Sequence, residues 1–282
     1  MRALAVPISL PSARVAALTA VALICFAANS LLCRAALGSG AIDPARFTAV
    51  RLGCGAILLA ILAGARLRGA WRSAAALLLY AVAFSFAYVR LPAGVGALIL
   101  FGSVQLTMVG TGVIRGERPG LQTFAGLFLA LVGLVALAIP SARSATLLAS
   151  SSMAAAGAAW GAYSLFARKT GSALIDTAGN FARTVPVAAL LWFAAPAQPF
   201  RPSGLILAAL SGALASGVGY AIWATAVPHL TATRAAVAQL LVPVIAAGGG
   251  IALLGERLTG RLLASAACIL CGVALALFGR RR

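Results

Sequence analysis

The chain has 282 residues, 62% of them hydrophobic and only 9% charged, with a mean hydropathy of +1.05. An ordinary soluble domain carries about 25% charged residues, so a soluble fold has too few charges here to cover its apolar surface. Composition excludes a disordered chain, a collagen-like fibre and a disulfide scaffold, and points to an integral membrane protein.

A helix needs about 20 apolar residues to cross the hydrocarbon core. Residues 15–33 are free of charge and predict a first span over 15–37. Arg14 and the short apolar run after it have the look of a secretory signal. Residues 15–28 match a later span, however, and read as an uncleaved membrane helix. A second span, 44–64, opens at Asp43-Pro44, a helix N-cap followed by proline at the first position. After the basic turn Arg66 to Arg72 come spans over 73–91, 94–114 and 121–139. The second half predicts spans over 147–167, 177–195, 204–226, 234–254 and 261–279, with a Pro-rich turn from Pro196 to Pro202. Ten such helices use about 200 residues, which leaves no room for a soluble domain. The runs are continuously apolar, so an alternating β-barrel pattern is excluded. The expected fold is all-α integral membrane, with ten transmembrane helices.

The formal charge is +18. The arginines are scattered between apolar runs, so topology explains them better than a nucleic-acid partner does. With both termini cytoplasmic, the inner segments hold Arg2, Arg14, Arg66, Arg68, Arg72, Arg115, Arg118, Arg168, Lys169, Arg234 and Arg280 to Arg282. The outer segments hold Arg34, Arg46, Arg90, Arg143, Arg201, Arg257 and Arg261. The larger set inside predicts an N-in, C-in topology; the membrane expected is a bacterial inner membrane. All five cysteines fall in spans, and Cys268-x-x-Cys271 reads as small residues on a packed helix face. The one histidine, His229, ends the eighth span beside Pro228, an interfacial position.

The chain also repeats itself. At a shift of 139, Leu91, Ala93, Gly110 and Gly116-Glu117-Arg118 meet Leu230, Ala232, Gly249 and Gly255-Glu256-Arg257. Phe84 meets Trp223 at the same shift. At a shift of 134, Phe26, Asn29, Ser30 and Arg34 meet Trp160, Tyr163, Ser164 and Arg168. Asp43 and Asp176 correspond at nearly that shift, so all four acids form two pairs. The implied units are 15–139 and 147–279, with five spans each. An odd number turns the second copy upside down in the membrane, a signature of secondary transporters with a site between the halves.

At the Gly-Glu-Arg triplets the chain resembles the EamA family of the drug/metabolite transporter superfamily, which has ten helices in two EamA repeats and a Gly-Glu before the last helix of each. Pro243 resembles the family's proline in the ninth helix; the first copy departs from it with Val104. Arg51 and Trp160 sit where the family often has Arg and Trp. The resemblance implies transport, outward for a metabolite such as an amino acid, or for a drug. The family's small multidrug relatives carry protons on a carboxylate deep in the first helix, and none lies within 15–37.

Several residues are candidates for the mechanism. Glu117 and Glu256 read either as gating or coupling carboxylates, or as loop carboxylates near the N-terminus of the following helix, where an anion suits the dipole. Arg51 and Arg183 lie about seven residues into their spans, and such arginines face protein or a cavity. Arg51 reads as a ligand for a substrate carboxylate, as a partner of Asp43, or as a snorkelling side chain. Phe26, Asn29, Phe84, Trp160, Tyr163, Tyr220 and Trp223 suggest an aromatic pocket between helices one, three, six and eight, or interfacial aromatics. Gln105 and Gln239 are mid-span, where helix-to-helix hydrogen bonding is the plain alternative to substrate contact. Pro243, Pro186 and Gly110, Gly112 and Gly248 to Gly250 offer bend points or close packing.

No phosphate-binding loop, HExxH motif or Ser/His arrangement is present, and no cofactor is implied. The expected partners are a small-molecule substrate and the lipid bilayer, and the sequence sets no oligomeric state. The function expected is a secondary transporter working by alternating access. The rival is a sensor or scaffold on the same fold.

Overall fold

The computed structural model describes residues 13–117, 120–138, 144–167, 172–195 and 199–278. Among them are ten helices: α1 (Ala13–Gly38), α2 (Pro44–Leu62), α3 (Trp71–Tyr88), α4 (Ala93–Ile114), α5 (Leu121–Ala138), α6 (Ser144–Ala167), α7 (Ala173–Ala194), α8 (Pro202–His229), α9 (Ala232–Leu254) and α10 (Gly260–Phe278). Each expected span coincides with one helix. Six of the ten, α1 to α4, α8 and α9, are long and apolar enough to cross a membrane. Arg118, Arg168, Lys169, Arg143 and the basic residues at both ends of the chain lie outside the described residues.

Local chemistry sets the helix ends. The Asp43 carboxylate accepts from the Ala45 and Arg46 N–H groups at 3.0 and 2.9 Å, and Pro44 follows at the first position. Thr231 caps α9 by accepting from the Arg234 N–H at 3.1 Å. Gly255 ends α9 at φ 64°, a left-handed turn that glycine takes without Cβ strain.

Two helices depart from regular geometry. In α8, Ser211–Val218 is wound as a π-helix, whose i→i+5 hydrogen bonds bring Ser211 and Ser216 onto one face. In α9 the helix breaks at Leu240. Pro243 lies four residues after Gln239; it supplies no N–H for the Gln239 carbonyl, and its ring crowds that oxygen.

Closely packed pairs include α1 with α8, α3 with α6, α2 with α7, α4 with α9 and α5 with α10, and α4 also packs against α6 and α2 against α8. The first five pairs map onto one another when each helix is exchanged for the one five places along. Small residues let the backbones close. Gly126 of α5 and Gly272 of α10 each leave room for the other's carbonyl, and Gly157 of α6 leaves room for the Leu100 carbonyl of α4. Between apolar helices in lipid such close packing is a main source of adhesion. Cys268 packs against Gly133 in the α5–α10 seam.

Candidate functional site

The aromatic side chains converge. The Phe26 ring centroid lies 5.1 Å from that of Trp160, 5.8 Å from Tyr220 and 5.7 Å from Trp223. Trp160 packs 4.5 Å from Tyr220 and stacks on Tyr163 at 5.5 Å. Phe84 joins through Tyr80, whose ring is 5.2 Å from both Phe84 and Trp160. The cluster is drawn from α1, α3, α6 and α8, and its large members are no more than 5% exposed. Each such ring pair adds about 0.5–1.5 kcal/mol beyond simple burial.

The polar ends of these side chains are paired. Trp160 Nε1–H donates to Gln239 Oε1 at 2.7 Å, and Trp223 Nε1–H donates to Ser164 Oγ at 3.1 Å. Gln239 sits at the break in α9, and its Nε2–H donates to the Ala235 carbonyl at 3.2 Å. The proline-induced break therefore places an amide against the central indole.

Beside the rings lies a hydroxyl-lined network around Arg51. Its Nε–H donates to Ser216 Oγ at 3.0 Å, and Nη2–H donates to Tyr220 Oη at 2.7 Å and Tyr80 Oη at 3.1 Å. The guanidinium carbon stands 5.1 and 4.8 Å from the Tyr80 and Phe84 ring centroids. Asn29 Nδ2–H donates to Tyr80 Oη at 3.0 Å, and its Oδ1 accepts from Ser211 Oγ at 2.6 Å. The π-helical stretch of α8 thus delivers both Ser211 and Ser216 to one network. Gly212, with no space for a Cβ against the Arg51 carbonyl, lets α8 approach α2 this closely.

Arg51 is 1% exposed. It neither snorkels nor pairs with Asp43, which instead holds Arg46 at 3.1 Å. The other in-span arginine is unlike it. Arg183 donates to the Arg68 and Gly179 carbonyls and lies 5.5 Å from the Trp71 ring centroid, near the end of the bundle.

The rings touch one another, so the pocket expected among them is closed in this conformation. A cavity of about 10 Å³ lies instead between α4, α5, α9 and α10, beside Gln105, Leu240 and Pro243. It has room for one water at most. Gln105 is apart from the aromatic cluster, and its Nε2–H donates to the Ala236 carbonyl of α9.

Glu117 and Glu256 stand far from the centre. Glu117 accepts from the Ala232 and Thr233 N–H groups at 3.1 and 3.3 Å and from Thr233 Oγ1 at 2.9 Å. Glu256 accepts from the Ala93 N–H at 2.7 Å and lies 3.8 Å from Arg34 Nε. Both carboxylates lie at helix N-termini, but not those of the helices expected. Each carboxylate sits at the start of the other half's fourth helix, not its own following helix. The glycines around them have distinct reasons. Gly112 and Gly250 make room for the two carboxylates, Gly249 for Leu31, while Gly110 and Gly248 face open space.

Tyr80, Ser211 and Ser216 escaped the sequence reading. Tyr80 precedes Phe84 by four residues and Ser216 precedes Tyr220 by four, so each shares a helix face with a residue already singled out. That spacing was the available signal.

Residues 147–278, essentially α6 to α10, match the EamA-like transporter family. An uncharacterized protein of Pseudomonas aeruginosa is 50% identical over 278 residues, which is 96% of this chain and 97% of that protein. The chain belongs to the EamA-like transporter family. It is similar to a probable amino-acid metabolite efflux pump of Salmonella typhimurium, 28% identical over 71% of this chain and 73% of the pump. A like-named Escherichia coli protein is 28% identical over 68% of this chain and 69% of its own length. A crystal structure 21% identical shares the fold, with a TM-score of 0.68 over 92% of this chain and 96% of its own. This EamA-like chain is thus a membrane-embedded transporter rather than an enzyme.

Proposed function

We propose that the chain is a secondary exporter of a small organic metabolite, in the amino-acid class or a related compound or drug, working by alternating access. Two five-helix repeats, 15–139 and 147–279, rock against each other in a bacterial inner membrane with both termini cytoplasmic. The substrate contacts Phe26, Asn29, Phe84, Trp160, Tyr163, Tyr220, Trp223 and Gln239, with Gln105 flanking the moving α4–α9 seam.

One observation carries this reading: a closed aromatic and polar cluster, built from helices of both halves, contains a broken helix and a π-helical stretch at the same place. Discontinuous helices at a repeat interface are where such transporters bind substrate. A contracted centre with both end contacts made corresponds to an occluded stage of the cycle. The names of the Salmonella and Escherichia relatives support outward movement of amino-acid metabolites.

The test is reconstitution of the purified protein in liposomes loaded with a metabolite pool rich in amino acids, with mass spectrometry of what leaves. Selective loss of one compound class over protein-free liposomes is the expected result. No selective loss with folded protein, with and without imposed ion gradients, sinks the reading and favours a sensor or scaffold.

A further inference from the structure

The Arg51 network holds a charge without a counter-charge. The chain has four acidic residues. Asp43 pairs with Arg46 at the start of α2, and Asp176 accepts from the Gly69 and Ser172 N–H groups at the start of α7. Glu117 and Glu256 cap α9 and α4. None forms an ion pair with Arg51. Its described partners are neutral hydroxyls, and Nη1 is buried with no hydrogen-bond partner among the described residues. A buried charge normally takes an opposite charge or shifts to neutral. Arginine does not lose its proton in proteins; the Tyr80 and Phe84 rings beside it offset part of the cost, and an anionic partner would complete the balance.

We infer that Arg51 is the binding group for a carboxylate on the transported substrate, whose apolar body takes the place among Phe26, Trp160 and Tyr220. This deepens the transport reading and rests on it. The guanidinium fork fits a carboxylate, and its free Nη1 and the Tyr80 hydroxyl are the donors at hand, the Tyr220 hydroxyl already donating to Tyr80 Oη at 3.0 Å. The same positive charge repels lipophilic cations, so among the compound classes above the site selects acids, including amino acids, over cationic drugs. Because the substrate brings the missing anion, a loaded centre is better balanced electrostatically than an empty one.

The experiment uses the full-length protein in lipid nanodiscs and tryptophan fluorescence, since Trp160 and Trp223 lie at the site. The probes are L-phenylalanine, 3-phenylpropanoate and L-phenylalaninamide. The two acids should give a saturable change, with the amide weaker by about tenfold or more, as expected for loss of a charged hydrogen bond. In Arg51→Gln the acids should bind as weakly as the amide. If that variant does not fold, Arg51→Lys tests the same point by keeping the charge and losing the fork. Equal binding of acid and amide by the native protein, no saturable acid binding, or an undiminished acid preference in either variant overturns the inference. The same probes in liposomes separate the two readings. Acid-selective binding without efflux leaves the site standing and defeats transport. Efflux of amide as fast as acid leaves transport standing and defeats the site.

Discussion

Glu117 and Glu256 exchange partners across the molecule: Glu117 accepts from Ala232, Glu256 accepts from Ala93, and both members of each contact are related by the same shift of 139 residues. Glu256 sits at the beginning of α4, and Glu117 follows its end. The antiparallel α4–α9 pair is therefore clasped at both ends. Glu117→Ala and Glu256→Ala should each cost about 1–2 kcal/mol, the usual loss for a side-chain helix cap, with Gln recovering part of it as a neutral acceptor. Unfolding of each variant in detergent micelles reads this directly. Unchanged stability in both alanine variants would show that water replaces the carboxylates at no cost.

Trp160 and Trp192 offer a matched comparison. Trp160 touches Phe26, Tyr80, Tyr163 and Tyr220 and donates to Gln239. Trp192 packs edge-to-face with Phe200 at 5.8 Å with Arg46 alongside, toward one end of the bundle. Trp160→Ala should cost about 3–5 kcal/mol, as removal of a large buried side chain does, and abolish transport. Trp160→Phe keeps most of the ring and leaves Gln239 Oε1 without its donor, a loss of about 1–3 kcal/mol. Trp192→Ala should retain transport at matched expression. Equal transport loss in the two alanine variants would argue against the central site.

The α5–α10 seam predicts a sharp contrast between glycines. Gly126→Ala or Gly272→Ala drives a methyl into the opposing carbonyl and should destabilise by about 1–3 kcal/mol. Gly110→Ala, on α4 and facing open space, should be neutral or stabilising by up to about 1 kcal/mol. Thermal melting of the three variants in one detergent decides it. Gly126→Ala melting with or above the native protein would mean that the seam opens readily.

All four carboxylates sit at helix ends, none within the aromatic centre. Efflux from liposomes should therefore run down the solute gradient, with its initial rate unchanged when an imposed pH difference is collapsed by an ionophore. A severalfold loss of rate on collapse would place proton coupling on some other group.

Much of the fold was legible because lipid imposes a simple grammar: charge-free runs of about 20 residues are helices. Each expected span met a helix, and Asp43-Pro44 marked the start of α2 to the residue. The aromatic positions were legible through the repeat, which pairs Phe26 with Trp160 and Phe84 with Trp223. Partners were harder. Periodicity gives the face of a helix but not what it meets, so Glu117 was assigned to its own chain neighbour rather than to Ala232. Tyr80 was hidden because its image under the shift of 139 is Gly219, one residue short of Tyr220. The hydroxyl surroundings of Arg51 depend on a π-helical stretch, whose altered spacing a 3.6-residue pattern does not anticipate.

The crossed clasp has a bearing on ancestry. Each half takes the anion at the start of its fourth helix from the other half, so a lone five-helix chain would lack that contact. Two identical five-helix chains inserted in opposite orientations would supply it to each other, each lending the other its glutamate. Such a reciprocal clasp suits a pair of separate subunits as well as one continuous polypeptide.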